Sequence, residues 1–170
     1  NFLFEASVGG GIPIIRPISQ CLAANEINEF AGILNGTTNF ILTRMINDGM
    51  AFEDALKLAQ DNGYAERDPS ADILGFDACR KVCILASLCF GKHVYPDQVH
   101  TEGITEITLE DVEYAKDWGG VIKLLGRARK SEDGKHIYAI VSPAFVDHHS
   151  QLASVDDVFN AILVRGDAIG

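Results

Sequence analysis

The stretch Tyr64-Ala65-Glu66-Arg67-Asp68-Pro69-Ser70-Ala71-Asp72-Ile73-Leu74-Gly75-Phe76-Asp77-Ala78-Cys79-Arg80-Lys81 decides how this chain is read. It crowds carboxylates and cations into a loop that runs straight into an apolar helical pattern. Ile73, Phe76, Val82, Ile84, Leu85 and Leu88 recur at helical spacing and predict one helix from Ala71 to Phe90, closed by Gly91. Charge in the first turns of a buried helix costs several kcal/mol per group unless it is paired or used. The cluster therefore asks for a partner or a purpose.

Working upstream, Phe52 to Asn62 is amphipathic, with Phe52, Ala55, Leu56 and Ala59 on one stripe and Gly63 at the stop position. Before it, Glu26 to Leu34 reads as a strand. The turn Asn35-Gly36-Thr37-Thr38-Asn39 leads into a helix ending at Gly49, with a threonine hydroxyl available as N-cap. Thr37 and Thr38 could equally receive a ligand carboxylate at that helix N-terminus. Phe2 to Ala6 is expected as a short strand. Ser7-Val8-Gly9-Gly10-Gly11 then forms a Gly-rich loop before a helix from Pro13 to Ala24, which Pro17 should kink or delay. The loop matches neither GxGxxG nor GxxxxGK[ST]. It reads as a tight turn or a close backbone approach, and its carbonyls could also ligate a hard cation.

Downstream, His93 to Glu106 reads as a linker and Leu109 to Trp118 as a polar helix. Val121–Lys130 and Lys135–Val146 alternate about the turn Ser131-Glu132-Asp133-Gly134, a hairpin signal. A last strand is expected over Ala161 to Arg165. The sum is one α+β domain over residues 1–170, a mixed β-sheet with helices packed mainly on one face.

Bulk properties narrow the function classes. A net charge of −10 without a basic stripe argues against nucleic acid. No apolar run reaches the length of a membrane span. Cys79, Cys83 and Cys89 share one helix and, with Cys21, read as small buried hydrophobes in a reducing, cytoplasmic setting. Metal-type CxxC spacing is missing, and His148-His149 reads as a solvated loop. The chain begins at Asn1 on an apolar run, and the reading is of a segment from inside a larger protein.

Within the charged stretch, Asp77 and Lys81 are four apart and share a helix face; in solvent such a pair is worth only about 0.3–0.5 kcal/mol. Asp72 lies around the helix from Asp77 and is free to cap the helix start. Glu66 and Asp68 can fold back over the same end. Together these offer carboxylates to an ammonium and a lysine to an oxygen that gains charge or a proton. A structural ion-pair network remains the alternative on spacing alone.

The run Ala59-x3-Gly63-Tyr64-Ala65-x2-Asp68-Pro69-x2-Asp72-Ile73-x-Gly75-x-Asp77-x3-Lys81 closely resembles the homoserine dehydrogenase signature. Glu5-Ala6-Ser7-Val8-Gly9-Gly10-Gly11-Ile12-Pro13-Ile14-Ile15 and Leu34-Asn35-Gly36-Thr37-Thr38-Asn39-Phe40-Ile41-Leu42 look like the catalytic region of the same family, in the same order. The resemblance implies a catalytic and dimerisation domain similar to the C-terminal domain of glyceraldehyde-3-phosphate dehydrogenase. Its implied reaction interconverts L-homoserine and L-aspartate 4-semialdehyde with NAD(P)H, in threonine, methionine and isoleucine biosynthesis. It assigns catalysis to Lys81, Asp77 and Glu66, and substrate binding to Glu66, Asp72, Asp77, Lys81, Tyr64 and Thr37. It also assigns a monovalent cation, sodium, to Glu5, Val8, Gly10 and Ile12. The family's Rossmann nucleotide-binding domain is not within these residues, so the chain alone is expected to be inactive, and a homodimer or higher homo-oligomer is expected. A non-catalytic amino-acid-binding regulatory module is the competing reading, because an acidic ammonium pocket would look much the same.

Overall fold

The computed structural model describes residues 3–22 and 24–168. Alternating apolar residues build β1 (Ile27–Ile33), which pairs on one side with β3 (Gly120–Lys130) and on the other with β5 (Ala161–Gly166). β3 returns antiparallel as β4 (Ile137–Asp147), from Lys130↔Ile137 to Gly120↔Asp147. The expected Asp-Gly turn closes this hairpin: Gly134 adopts φ +68° and Asp133 accepts from the Ser131 hydroxyl at 2.5 Å. β2 (His100–Thr101) adds to the far edge of β4 in parallel, giving the order β2-β4-β3-β1-β5. One parallel pair among antiparallel ones makes the sheet mixed, as expected, although the strand responsible, β2, lies in the stretch read as a linker.

Three helices, α1 (Gly36–Asp48), α2 (Phe52–Asp61) and α5 (Leu109–Asp117), match their sequence signals, and α4 (Phe76–Phe90) keeps the C-terminal part of the helix expected from Ala71. The larger core lies between helices and sheet, where Ile41, Leu42 and Met45 of α1 and Val82, Leu85 and Ala86 of α4 meet Phe30, Leu124 and Val141. Gly126 on β3 sets how closely α4 and the end of β1 can approach. A Cβ there would lie 2.5 Å from a Val82 methyl and 2.7 Å from a Leu34 methyl, well inside contact distance. On the opposite sheet face, Ile33, Leu125 and Val146 are covered, among the described residues, by the segment holding Leu152, Ala153 and Val155. The remainder of that face, including Ala31, Arg127, Arg129, Ile140 and Leu163, carries no helix.

The structure corrects several expectations. Residues 3–6 form no strand, and Phe2 lies outside the described residues. The helix expected over 13–24 reduces to a wide-turn segment, Pro17–Cys21, in which the Leu22 amide reaches back five residues to the Pro17 carbonyl at 2.9 Å. Pro17 lacks the N–H that an ordinary α-turn would use, and the register widens around it. The expected helix over 71–90 is two: α3 (Ser70–Ile73) and α4, separated at Gly75 with φ +82°. Helical periodicity cannot show one left-handed residue inside an apolar run; glycine alone adopts it without strain. β2 escaped notice because two residues carry no periodic signal. Cys21 is exposed, whereas Cys79 and Cys83 are buried and all four thiols are free.

Lys123 points inward from β3 and is 0% exposed. Its ammonium donates to the Val155 carbonyl at 2.7 Å, Asp156 at 3.1 Å and Asn39 Oδ1 at 3.3 Å. All three of its protons are thus matched, the condition under which a buried cation is tolerated. The same Asn39 donates to the carbonyls of Val155, Asp157 and Phe159, and the Thr43 hydroxyl accepts the Asp157 amide. Arg44 adds an ion pair to Asp157 at 2.7 Å. The 155–159 segment is in this way tied to α1. Burial pushes the Lys123 ammonium below its usual 10.5, against the opposing pull of Asp156. The unfolded chain then holds this proton to higher pH, so the Lys123 contribution to stability rises as pH climbs from the lowered value toward 10.5. Lys123→Met is expected to cost about 1–3 kcal/mol by stranding buried acceptors. In denaturant titrations the gap from the parent should widen between neutral pH and the ordinary lysine range. A gap that stays flat or narrows contradicts the assignment.

Candidate functional site

β1 ends at Ile33, and the next two residues deliver Asn35 to the N-terminus of α1. Its side chain, 5% exposed, is the N-cap: Oδ1 accepts the Thr38 amide at 2.8 Å and the Thr38 hydroxyl at 2.9 Å. The expected hydroxyl cap is therefore replaced by an amide, and Thr38 is the residue capped. On its other side, Asn35 Nδ2 donates to Asp72 Oδ1 at 2.6 Å and to Asp77 Oδ2 at 2.8 Å. Only one orientation of this amide puts N–H toward carboxylates and oxygen toward an N–H, so the network itself sets it. The break at Gly75 makes this possible. It lets Asp72 on α3 and Asp77 on α4 face the same point, which a continuous helix would prevent. Asp72 accordingly caps nothing and belongs to the cluster.

Lys81, one turn into α4 from Asp77, donates to Asp77 Oδ2 at 2.7 Å and to the Leu34 carbonyl at 2.9 Å. Its ammonium has three donors, and two are occupied. The third proton, the second oxygen of Asp77 and the second oxygen of Asp72 have no partner among the described residues. Lys81 and Asp77 keep 21% and 30% of their side chains exposed, so the group is open to a ligand while shielded enough for charge to matter.

The remaining predicted residues lie around this group at different distances from its chemistry. The Thr37 hydroxyl donates to the Tyr64 carbonyl at 2.7 Å, tying the charged loop to α1. The Tyr64 ring packs edge-on against Phe40 at 5.0 Å and is 46% exposed. Glu66 is exposed; its carbonyl takes a bond from Gln60 at 3.1 Å, but its carboxylate contacts none of Asp72, Asp77 and Lys81. Asp68 turns away to accept the Ser70 hydroxyl at 2.5 Å and amide at 3.1 Å, and those bonds hold its carboxyl below its usual range. It closes a local turn before α3 and does not join the site. The sequence places Asn35 in a turn and within the motif over Leu34–Leu42, but assigns it no role at the site. The available signal was an asparagine at an N-cap within reach of two carboxylates, but reach is a tertiary property.

A family model described as homoserine dehydrogenase matches residues 13–170. This chain belongs to the homoserine dehydrogenase family. It is 49% identical to the homoserine dehydrogenase of Synechocystis over 99% of its own length and 46% identical to that of Bacillus subtilis over 100%. It superposes on a homoserine dehydrogenase structure from Thiobacillus denitrificans with a TM-score of 0.94 at 49% identity, covering 98% of this chain and 38% of that one. A putative homoserine dehydrogenase from Archaeoglobus fulgidus gives 0.90 at 38% identity, with 99% and 50% covered. The chain spans about 39% of the length of the curated relatives it matches. The homoserine dehydrogenase family uses NAD(P). No described helix is long and apolar enough to cross a membrane.

The loop that the homoserine dehydrogenase resemblance marks for a cation is built around Glu5. Its carboxylate accepts the Ile14 amide at 2.5 Å, the Ile15 amide at 2.7 Å and the Arg16 amide at 2.8 Å, closing the start of the helical segment. The carbonyls of Val8, Gly10 and Ile12 accept no hydrogen bond from the described residues, and the described residues hold no cluster of His, Cys, Asp and Glu suited to a metal. Unclaimed carbonyls are hard oxygen donors, the ligand type that suits a hard cation rather than a soft transition metal. Partial desolvation raises the Glu5 carboxyl, but the amides of Arg16, Ile14 and Ile15 and the Arg16 charge outweigh it and hold it below 4.5. Its stabilising effect is therefore complete above 4.5 and lost as pH falls through the depressed folded value. Hydrogen exchange should show the Ile14, Ile15 and Arg16 amides losing protection on acidification. In Glu5→Gln the protection should already be low at neutral pH; unchanged protection there would contradict the cap.

Proposed function

We propose that this chain is the substrate-binding and catalytic domain of a homoserine dehydrogenase, a cytoplasmic enzyme interconverting L-homoserine and L-aspartate 4-semialdehyde in threonine, methionine and isoleucine biosynthesis. The observation that carries the reading is the Asp72–Asn35–Asp77–Lys81 cluster, with two unpartnered carboxylate oxygens beside an ammonium that has one proton to spare. The hydride of such a reaction belongs to NAD(P)H, held outside these residues. Charge then develops on the aldehyde oxygen. The Lys81 ammonium stabilises that oxygen and gives it a proton to make the alcohol; in the reverse direction neutral Lys81 takes the proton back. Asp77 keeps Lys81 aimed and, with Asp72, receives the substrate ammonium. Glu66, whose carboxylate is uncommitted, serves the same ammonium from the loop. Tyr64 and Thr37 line the approach, and the substrate carboxylate falls to backbone amides at the start of α1.

Sodium held by the Val8, Gly10 and Ile12 carbonyls, with Glu5 supplying charge, completes the proposed site inventory; it would stiffen the loop without touching the reaction. Residues 1–170 form one catalytic and dimerisation domain in this reading. The chain by itself is inactive, because the hydride donor's half of the site is elsewhere. A second copy covers the helix-free sheet face, where Ala31, Ile140 and Leu163 leave apolar surface between Arg127, Arg129 and the Glu29–Arg165 pair.

Two measurements test the proposal. In the full-length protein, Lys81→Ala should lower kcat by about 100-fold or more while circular dichroism stays unchanged, the scale of lost general-acid chemistry; an unaltered rate rejects the catalytic role and favours a binding module. Leu163→Asp, remote from Lys81, should shift sedimentation toward the monomer. An unshifted profile moves the contact between copies to another face.

A further inference from the structure

We propose that Asn35 is the positioning residue for the substrate ammonium, holding Asp72 and Asp77 as one paired receptor. This rests on the reading of the site as one for an amino-acid aldehyde and its alcohol. All four hydrogen-bonding positions of the Asn35 amide are occupied: two donors on Asp72 Oδ1 and Asp77 Oδ2, two acceptances from Thr38. A saturated, buried amide has nothing left with which to touch substrate, so its influence passes through the carboxylates.

What it does to them follows from charge and direction. Asp72 and Asp77 sit on separate helices and repel, and nothing in α3 or α4 by itself would keep them together. One NH2 group accepted by an oxygen from each draws both to a single nitrogen. It also chooses which oxygens are spent. Asp77 Oδ2 is taken by Asn35 and Lys81 together, and Asp72 Oδ1 by Asn35. The partner oxygen of each carboxylate is left free for an incoming ammonium, which can neutralise a pair that Asn35 has assembled but not discharged. The same residue abuts the Leu34 carbonyl that anchors Lys81 at 2.9 Å, so the ammonium receptor and the proton donor share one backbone origin.

Aspartate separates this role from helix capping, because it caps as well as asparagine does but presents an oxygen where the NH2 stood. In the full-length protein, Asn35→Asp should raise the KM for L-homoserine at least tenfold at mildly alkaline pH and leave the KM for NAD(P) unchanged. The defect should shrink as pH is lowered, because protonation of the introduced carboxylate recovers one donor. Asn35→Ser, which caps but is too short to bridge, should show the KM increase without the recovery, and it stands in should the aspartate variant not fold. Calorimetry with 4-hydroxybutyrate, which has the alcohol and carboxylate of homoserine but no ammonium, should find parent and variant equal. A lost thermal midpoint with unchanged homoserine KM, a defect indifferent to pH in Asn35→Asp, or an equal penalty on 4-hydroxybutyrate would each overturn the proposal. Absence of homoserine oxidation by the parent protein would instead overturn the assigned function, so the two failures are told apart before any variant is made.

Discussion

Two carboxylates drawn to one amide nitrogen are the constraint on which the site depends. Like charges at that separation repel unless a donor lies between them and a cation beside them. Asn35 is the donor and Lys81 the cation. Around that requirement the local architecture becomes understandable. β1 must end where Asn35 can cap α1, α3 must break from α4 at Gly75, and α4 must lie close enough to the sheet at Gly126 for Lys81 to reach the Leu34 carbonyl. An apolar core alone would tolerate many helix placements; the polar cluster accepts few, because each of its bonds is lost within an ångström of misplacement.

α1 is held from two sides by the same kind of device. At its N-terminus Asn35 faces the carboxylates. One turn on, Asn39 takes three carbonyls of the 155–159 segment and shares the buried Lys123 ammonium. The Asn39–Lys123 network is fully matched, whereas the Asn35 cluster saturates its amide and leaves one oxygen each of Asp72 and Asp77 open. Burying Lys123 would be prohibitive without the Val155 carbonyl and Asp156. The hydrophobic cluster between helices and sheet supplies the bulk of the driving force, and these networks choose which arrangement it stabilises. Rigidity at α1 keeps the Asn35 amide within bonding distance of Asp72 and Asp77.

The two sheet faces divide the labour. Helices cover one and put the site at the end of β1. The other carries the small Ile33–Leu125–Val146 cluster and then an uncovered field of small, apolar and paired charged residues. That asymmetry follows from strand alternation. Phe30, Leu124 and Val141 point to the helices, while Ala31, Leu125 and Ile140 point away.

By itself the sequence determined the elements whose signals are local. Alternation gave β1 and the β3–β4 hairpin, helical spacing gave α1, α2, α4 and α5, and the order of three motifs gave the family. Asp77 and Lys81 could be paired from four-residue spacing alone, because a helix sets that distance without help from the rest of the chain. The break at Gly75, the two-residue β2 and the amide cap were not legible: each depends on what lies across the fold, and periodicity averages over single residues. Asn35 is the clearest case. Its meeting with Asp72 and Asp77 spans 37 and 42 residues of chain, and only the packing of α1 against α3 and α4 brings the three together. Residue types and local spacing supplied the charges; tertiary structure decided which of their oxygens stay free, because an oxygen engaged by one partner in the folded chain is not open to another.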